Sequence, residues 1–305
     1  MAGNRNLHAA KTAKNDEFYT QLTDIEKELA HYREHFRDKA VFCNCNDGLE
    51  SAFWKYFHLN FGFLGLRKLI ATSYGAEKPA YRLEYCGGDD GNVMAATMTC
   101  LAGNGDFRSP ECAELLEECD IVATNPPFSM MSEYLPMLLE SGKGFIVLGT
   151  LNHITLRPVL PYILNTRCWL GTHPGQMHVW FRVPDGHAFH ATDYREDPDG
   201  SKRRRIAMVC WFTNLDIERR HEPLVLVRSY DPAAYPRYDD YDAIECGRSA
   251  DIPYDYYGVI GVPITYLAWH CHEQFEILGL VTPKLNGKTK YKRLLIRRRG
   301  YGGEG

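Results

Sequence analysis

The sequence predicts a doubly wound α/β fold with an appended C-terminal region, and three observations carry that reading. Residues 120–129 read Asp-Ile-Val-Ala-Thr-Asn-Pro-Pro-Phe-Ser, a short apolar run cut off by two prolines. Such a run, with no polar alternation, is a strand covered on both faces, as in a parallel sheet. Residues 40–45 form a second apolar run, followed by a tight loop at 44–48 and a helical pattern through Ala52, Phe53, Tyr56 and Phe57. Strand, tight loop and helix are the nucleotide-binding opening of a doubly wound sheet. From about Asn214 the alternation of strands and helices fades into aromatic-rich loops such as 235–241 and 254–257.

The 120–129 stretch is the most informative. Two prolines cannot continue a strand, so the backbone leaves the sheet at Thr124 in a stiff, extended turn. In an open α/β sheet, ligands bind just beyond the carboxyl ends of the strands, where this turn falls. Pro126 and Pro127 have no N–H and offer carbonyl oxygens; Asn125 adds an amide and Phe128 an aromatic face. That set suits a planar base carrying an exocyclic amine. The Asn125 side-chain oxygen and the Pro126 carbonyl each accept one amine hydrogen, and Phe128 stacks on the base. The tetrapeptide is similar to the (Asn/Asp/Ser)-Pro-Pro-(Tyr/Phe/Trp) motif of amino-methyltransferases. Its structural alternative is a strand-to-loop turn with a buried phenylalanine, since short motifs also occur by chance.

Composition narrows the classes. A chain of 305 residues has room for two domains, and its 45% hydrophobic and 24% charged content is that of a soluble globular protein. No apolar stretch reaches the length of a membrane span. Residues 1–14 include Arg5, Lys11 and Lys14 but no apolar h-region, so they read as a flexible basic arm, and a cytoplasmic location is expected. Ten scattered cysteines without a CxxC pair fit a reducing compartment. Cys43-X-Cys45 and His270-Cys271-His272 lack the spaced pairs of structural zinc, so no metal is expected. The net charge of −4 argues weakly against nucleic acid, but its distribution argues the other way. Lys202-Arg203-Arg204-Arg205 form one basic cluster, and 277–303 hold no acid while including Lys290, Lys292 and Arg293. Local clusters set the footprint for phosphates.

In chain order, a helical face at Ile25, Leu29 and Tyr32 runs up to Phe36, with Thr23 as N-cap and Glu26 completing a capping box. After the first strand, Lys68–Ser73 reads as the second, with Ser73-Tyr74 where an acidic ribose ligand is usual. Residues 79–100 read as a two-stranded excursion turning at the glycine-rich 87–91. A helix at Pro110–Glu118 leads into the 121–124 strand; a helix at 132–139 and a strand at 144–149 follow. Asn152-His153 lie in the next loop, where a polar loop residue is the expectation for His153. Residues 169–171, 177–183 and 206–213 supply an antiparallel edge, interrupted by an insertion at 184–205 that carries the first basic cluster. Residues 275–281 and 291–297 form a terminal hairpin edged with lysine and arginine.

Taken together, the chain resembles the EcoRI-type adenine-specific DNA methyltransferases. The matching stretches are 15–20, 41–47, 103–109, 120–129, 181–185, 211–216 and 258–267, which span most of the sequence. The resemblance implies a Rossmann-like S-adenosylmethionine-dependent sheet, mostly parallel with an antiparallel edge, at 15–215, and a DNA target-recognition region at 216–305. It implies methyl transfer to N6 of an adenine flipped out of duplex DNA, in the gamma motif order, either in a restriction–modification pair or as an orphan enzyme. Asn125, Pro126, Pro127 and Phe128 are then catalytic. Phe18, Tyr19 and Thr20 contact the methionine end of the cofactor, Cys43, Asn44 and Asp47 form the cofactor loop, and Asp106 and Phe107 hold its adenine. Lys202, Arg203, Arg204, Arg205, Lys290, Lys292 and Arg293 bind DNA. Double-stranded DNA is the expected partner of a monomer that needs no obligate protein partner. The cofactor loop departs from the family in having Gly48 as its single glycine, although Asn and Asp tolerate left-handed turns. Two other readings stay open: an RNA or protein-glutamine amino-methyltransferase, and a non-catalytic DNA-binding protein on a decayed methyltransferase fold.

Overall fold

Apolar runs that are covered on both faces gather at the centre of a sheet, and four of them do so here. The structure, a computed structural model, describes residues 22–46, 48–75, 79–172, 177–182, 194–197, 200 and 202–300. Its main sheet contains β1 (Ala40–Asn46), β2 (Lys68–Ser73), β3 (Tyr81–Tyr85), β4 (Thr97–Cys100), β5 (Ile121–Thr124), β6 (Gly144–Thr150), β7 (Trp169–Leu170), β8 (Met177–Arg182), β9 (Tyr194–Glu196) and β10 (Lys202–Thr213). The strand order is β4-β3-β2-β1-β5-β6-β10-β7, with β8 and β9 also paired to β10. The β2–β1, β1–β5 and β5–β6 ladders are parallel. Antiparallel ladders flank them on both sides. Parallel character is therefore confined to the centre, and the 79–100 excursion joins the sheet as β3 and β4.

Burial follows the strand period of two. Phe42, Ile70, Val122, Phe145 and Val147 enter the apolar cluster on one face. Val41, Cys43, Leu69, Ile121, Ala123, Ile146 and Leu148 enter the cluster on the other. Helices cover both faces. In chain order they are α1 (Leu22–Leu29), α2 (Ala52–Leu59), α3 (Phe61–Leu64), α4 (Pro110–Glu118), α5 (Met131–Ser141) and α6 (Leu160–Leu164). Ser51 and Ser109 cap α2 and α4 through their hydroxyls, with Pro110 in the first turn of α4. Gly142, at φ +71°, ends α5. Thr23 lies inside the first turn of α1 instead of capping it, and the helix tightens to a 3₁₀ run over Ala30–Phe36.

The basic cluster is strand, not insertion loop. Lys202–Arg205 begin β10 and pair with β8 and β9, after which the strand shifts register and pairs with β6. Met208, at φ +61°, lies inside the register shift between Ile206 and Val209. A ladder with one solvated face accepts charged residues that would be excluded from the parallel centre.

The C-terminal region builds a second sheet from β11 (Ile244–Glu245), β12 (Ile260–Pro263), β13 (Phe275–Val281) and β16 (Arg293–Arg298), in the order β11-β12-β16-β13. Between β13 and β16 lies a small ribbon of β14 (Lys284–Leu285) and β15 (Lys288–Thr289). Ile260, Val262, Phe275, Leu294 and Ile296 belong to the same apolar cluster as Phe42 and Tyr134. The second sheet therefore packs on one face of the first, with β13 against α6 and 264–269 against β7. Among the described residues no helix is long and apolar enough to cross a membrane.

Candidate active site

The carboxyl ends of β1, β2 and β5 meet the 103–109 loop at one edge of the central sheet. The Asn-Pro-Pro-Phe corner is held by the strand beside it: the Thr124 hydroxyl donates to the Asn44 carbonyl at the end of β1. Pro127 is extended, at φ −57° and ψ 120°, and Phe128 opens a single 3₁₀ turn closed by the Met130 N–H on the Pro127 carbonyl at 2.9 Å. Asn125 is half-buried, and its Oδ1 is shielded from solvent. Phe128 is 7% exposed.

His153, from the loop after β6, packs edge-to-face on Phe128 with ring centroids 5.8 Å apart and planes at 74°. Its Nδ1 accepts the Thr150 N–H at 3.0 Å, which places the ring proton on Nε2. Burial pushes its pKa down to about 4. His153 is thus a neutral wall beside Phe128, with its more basic nitrogen occupied.

The cofactor-side residues divide into floor and rim. Cys43 is fully buried in the core, and burial pushes its thiol above the usual range. Asn44 is 2% exposed and accepts the Tyr134 hydroxyl on Oδ1, so it joins β1, β5 and α5. The next residue, Cys45, turns left-handed at φ +57°, and Gly48 does so at φ +55°. A Cβ on Gly48 would lie 2.2 Å from the Tyr81 hydroxyl. The loop therefore keeps two positive-φ corners although only one of them is glycine. Asp47 and the Phe18-Tyr19-Thr20 stretch lie outside the described residues.

Gly105 explains how the 103–109 loop reaches this edge. At φ +74°, a Cβ on it would lie 2.1 Å from the Ser73 carbonyl, so the loop closes directly on the end of β2. The Gly75 N–H donates to the Asn104 carbonyl at 2.9 Å in the same place. Asp106 sits on the rim with its carboxylate engaged by Arg108, at 2.9 Å to Nε and 2.7 Å to Nη2. That pairing holds its carboxyl below the usual range. Phe107 is buried, edge-on to Tyr134 at 5.0 Å and 84°. At the ribose position Ser73 bonds the Tyr81 backbone.

Sequence reasoning missed Tyr134 and Arg108. Tyr134 carried a signal, since it continues the apolar face of α5 with Met131, Leu135 and Leu138. Arg108 carried none beyond its place two residues after Asp106.

The basic residues separate by environment. Lys202 and Arg205 are half-buried and each interacts within the protein; Arg203 and Arg204 are described in backbone alone, paired with β8 and β9. Lys292 is exposed, and the Lys290 amine lies 3.7 Å from Glu245. Arg293 is 8% exposed and grips Glu245 with Nε at 3.1 Å and Nη2 at 2.7 Å. Tyr238 donates to the same carboxylate. Arg293 thus braces the second sheet and presents no guanidinium to the surface, because Glu245 and Tyr238 cover it on the face opposite Leu294 and Ile296.

The His270-Cys271-His272 stretch also divides. His270 is half-buried, and its desolvation lowers its pKa to about 3; its Nδ1 lies 3.2 Å from the Tyr266 hydroxyl. His272 joins His221 and Glu273 in a cluster whose ligand atoms lie within 4.8 Å of one another. Contacts already knit it: His221 hydrogen-bonds Glu273 at 2.6 Å and Asp216 at 2.9 Å, and His272 Nε2 lies 3.1 Å from the Glu273 carboxylate.

Comparison with known proteins closes the description. A family model described as "Adenine-specific methyltransferase EcoRI" matches residues 6–300. The chain is 43% identical to the type II methyltransferase M.EcoRI of Escherichia coli, over 97% of each chain. It is 34% identical to M.MpnI of Mycoplasma pneumoniae and 33% identical to M.MgeORF184P of Mycoplasma genitalium, both named type II methyltransferases, over 96% of this chain and 98% of each relative. No solved structure matches the chain. On a match that covers nearly its whole length, this chain belongs to the EcoRI-type adenine-specific methyltransferase family.

Proposed function

We propose that this adenine-specific methyltransferase moves the methyl group of S-adenosylmethionine to N6 of an adenine flipped out of a short duplex DNA site. The observation that carries the reading is the Asn-Pro-Pro-Phe corner at the carboxyl end of a central parallel strand, fixed to β1 through Thr124 and Asn44. N6 cannot reach a bound sulfonium from inside a duplex, so the base leaves the stack at a cost of roughly a few kcal/mol. Asn125 Oδ1 and the Pro126 carbonyl accept the two amine hydrogens, which turns the nitrogen lone pair towards the incoming methyl. As the N–C bond forms, the methyl–sulfur bond would break with its electron pair left on sulfur; positive charge grows on N6 and both acceptors strengthen, so they favour the transition state over the ground state. Phe128 and His153 give the base an aromatic wall. N6 then releases one proton to solvent.

The donor set suits an adenosyl cofactor. Asp106 supplies an acceptor on the rim for an adenine amine, with Phe107 beneath it, and the left-handed corners at Cys45 and Gly48 and the close approach at Gly105 bring backbone to the same edge. Bound there, S-adenosylmethionine supplies an electrophilic methyl on a cationic sulfur. We assign this work to a catalytic unit, residues 15–215, and duplex recognition to residues 216–305, in a monomeric cytoplasmic enzyme.

Transfer of labelled methyl to duplex DNA, to RNA of the same sequence and to protein tests the assignment. Label in the duplex, recovered as N6-methyladenine, is expected. Label confined to RNA or protein would overturn the substrate, and no binding of S-adenosylmethionine would overturn the enzyme.

A further inference from the structure

The chain leaves the second sheet between β13 and β16 and returns in register, Val281 opposite Arg293. The excursion, 282–292, contains Lys284, Lys288, Lys290 and Lys292 and no acid. On its return arm, just past β15, stands Tyr291, 88% exposed, the most exposed of the large apolar residues described. Among the described residues nothing covers that ring.

The excursion is tied down by hydrogen bonds. Asn286 and Gly287 take φ +51° and +73°, the two positive angles of the hairpin turn whose twist matches its strands. The Asp239 carboxylate accepts the N–H groups of Asn286 at 3.2 Å and Gly287 at 2.7 Å, and Asp240 accepts that of Lys284 at 2.9 Å. The Lys290 N–H closes on the Pro283 carbonyl at 2.8 Å. At the base, Arg293 is locked to Glu245. The neighbouring acids are thus engaged with backbone N–H groups and with Arg293, while Lys284, Lys288 and Lys292 face solvent.

We propose that this ribbon is the element that grips the duplex: Lys284, Lys288 and Lys292 lie on phosphates, and Tyr291 makes the apolar contact with the bases. The major groove, about 12 Å wide, admits a two-stranded ribbon. A ribbon fixed before binding loses little conformational freedom on docking. The proposal rests on the DNA-methyltransferase reading and adds to it the residues that touch DNA.

Two exposed-site variants test it, Lys284→Ala/Lys288→Ala/Lys292→Ala and Tyr291→Ala, with binding to a labelled mixed-sequence duplex measured across a salt series. The triple variant is expected to flatten the log–log salt slope by about 2 to 3, near 0.9 per lost phosphate contact. Tyr291→Ala is expected to keep the slope and lose about tenfold in affinity, with Tyr291→Phe restoring it. S-adenosylmethionine binding and melting should be unchanged in all of them. An unchanged slope and affinity in an enzyme that still methylates duplex DNA would overturn the ribbon alone. A wild-type enzyme that transfers no methyl to duplex DNA would overturn the underlying reading instead.

Discussion

The two sheets meet on one apolar face but are fixed by different forces. Around the Asn-Pro-Pro-Phe corner the fixing groups are neutral: a threonine hydroxyl, an asparagine amide, the Tyr134 hydroxyl, an uncharged His153 and aromatic edges. Around the second sheet they include charged groups, Arg293 on Glu245 and the carboxylates of Asp216 and Glu273 on His221. The proposed methyl-transfer site gains from neutral scaffolding, because no fixed charge then competes with the positive charge that passes from the donor sulfur to the reacting nitrogen. The surface proposed to meet phosphate needs cations at its rim, and the buried Glu245 keeps an inner one, Arg293, in place.

Breaking the ionic side should have the largest effect. Glu245→Ala leaves the Arg293 guanidinium buried without its carboxylate, and a loss of roughly 3–5 kcal/mol is expected in denaturant unfolding. Adding Arg293→Met should recover most of it, since a buried pair can be exchanged for apolar packing. If Glu245→Ala unfolds like the wild type, the brace has been misread.

The neutral side should show itself in pH. With His153 depressed to about 4, the unfolded chain binds its proton first as pH falls. Its contribution to stability is therefore complete above pH 6.5 and declines towards pH 4, by up to about 3 kcal/mol. His153→Phe, compared across that range, should remove this part of the acid sensitivity. An identical pH profile in the variant would place the titration elsewhere.

Removing one hydroxyl sharpens the comparison further. Tyr134→Phe leaves the buried Asn44 Oδ1 without that donor, and a loss of about 1–3 kcal/mol is expected in thermal melting. The smallest effect is at the rim: Asp106→Ala should weaken S-adenosylmethionine binding by about tenfold, the equivalent of one hydrogen bond to a charged group. A dissociation constant equal to that of the wild type would detach Asp106 from the cofactor.

What could be read in the sequence was what local rules determine. The 121–124 strand and its proline stop follow from an apolar run and two missing N–H groups, and the structure has the strand at Ile121–Thr124. Pro110–Glu118 was legible because Ser109 and Pro110 mark a helix start. Thr23 failed as a cap because Leu22 is already helical, a boundary shift of the kind local patterns do not fix. The basic run at 202–205 looked like loop because strand pairing with β8 and β9 is a tertiary fact. Arg293 looked like a surface cation because its partner, Glu245, is far away in sequence. In the candidate site, Asn125 and Phe128 announced themselves by motif. Tyr134 and His153 act through contacts that only folding creates.

The central claim is that Asn125 holds an amino group for attack on a sulfonium methyl, and single-turnover methyl transfer by Asn125→Ala tests it most directly, read beside S-adenosylmethionine binding to the same protein. Loss of transfer by about 10²–10³-fold, the range for removing one aligned partner of the transition state, with cofactor affinity nearly intact, is the expected result. Transfer at the wild-type rate would contradict the account.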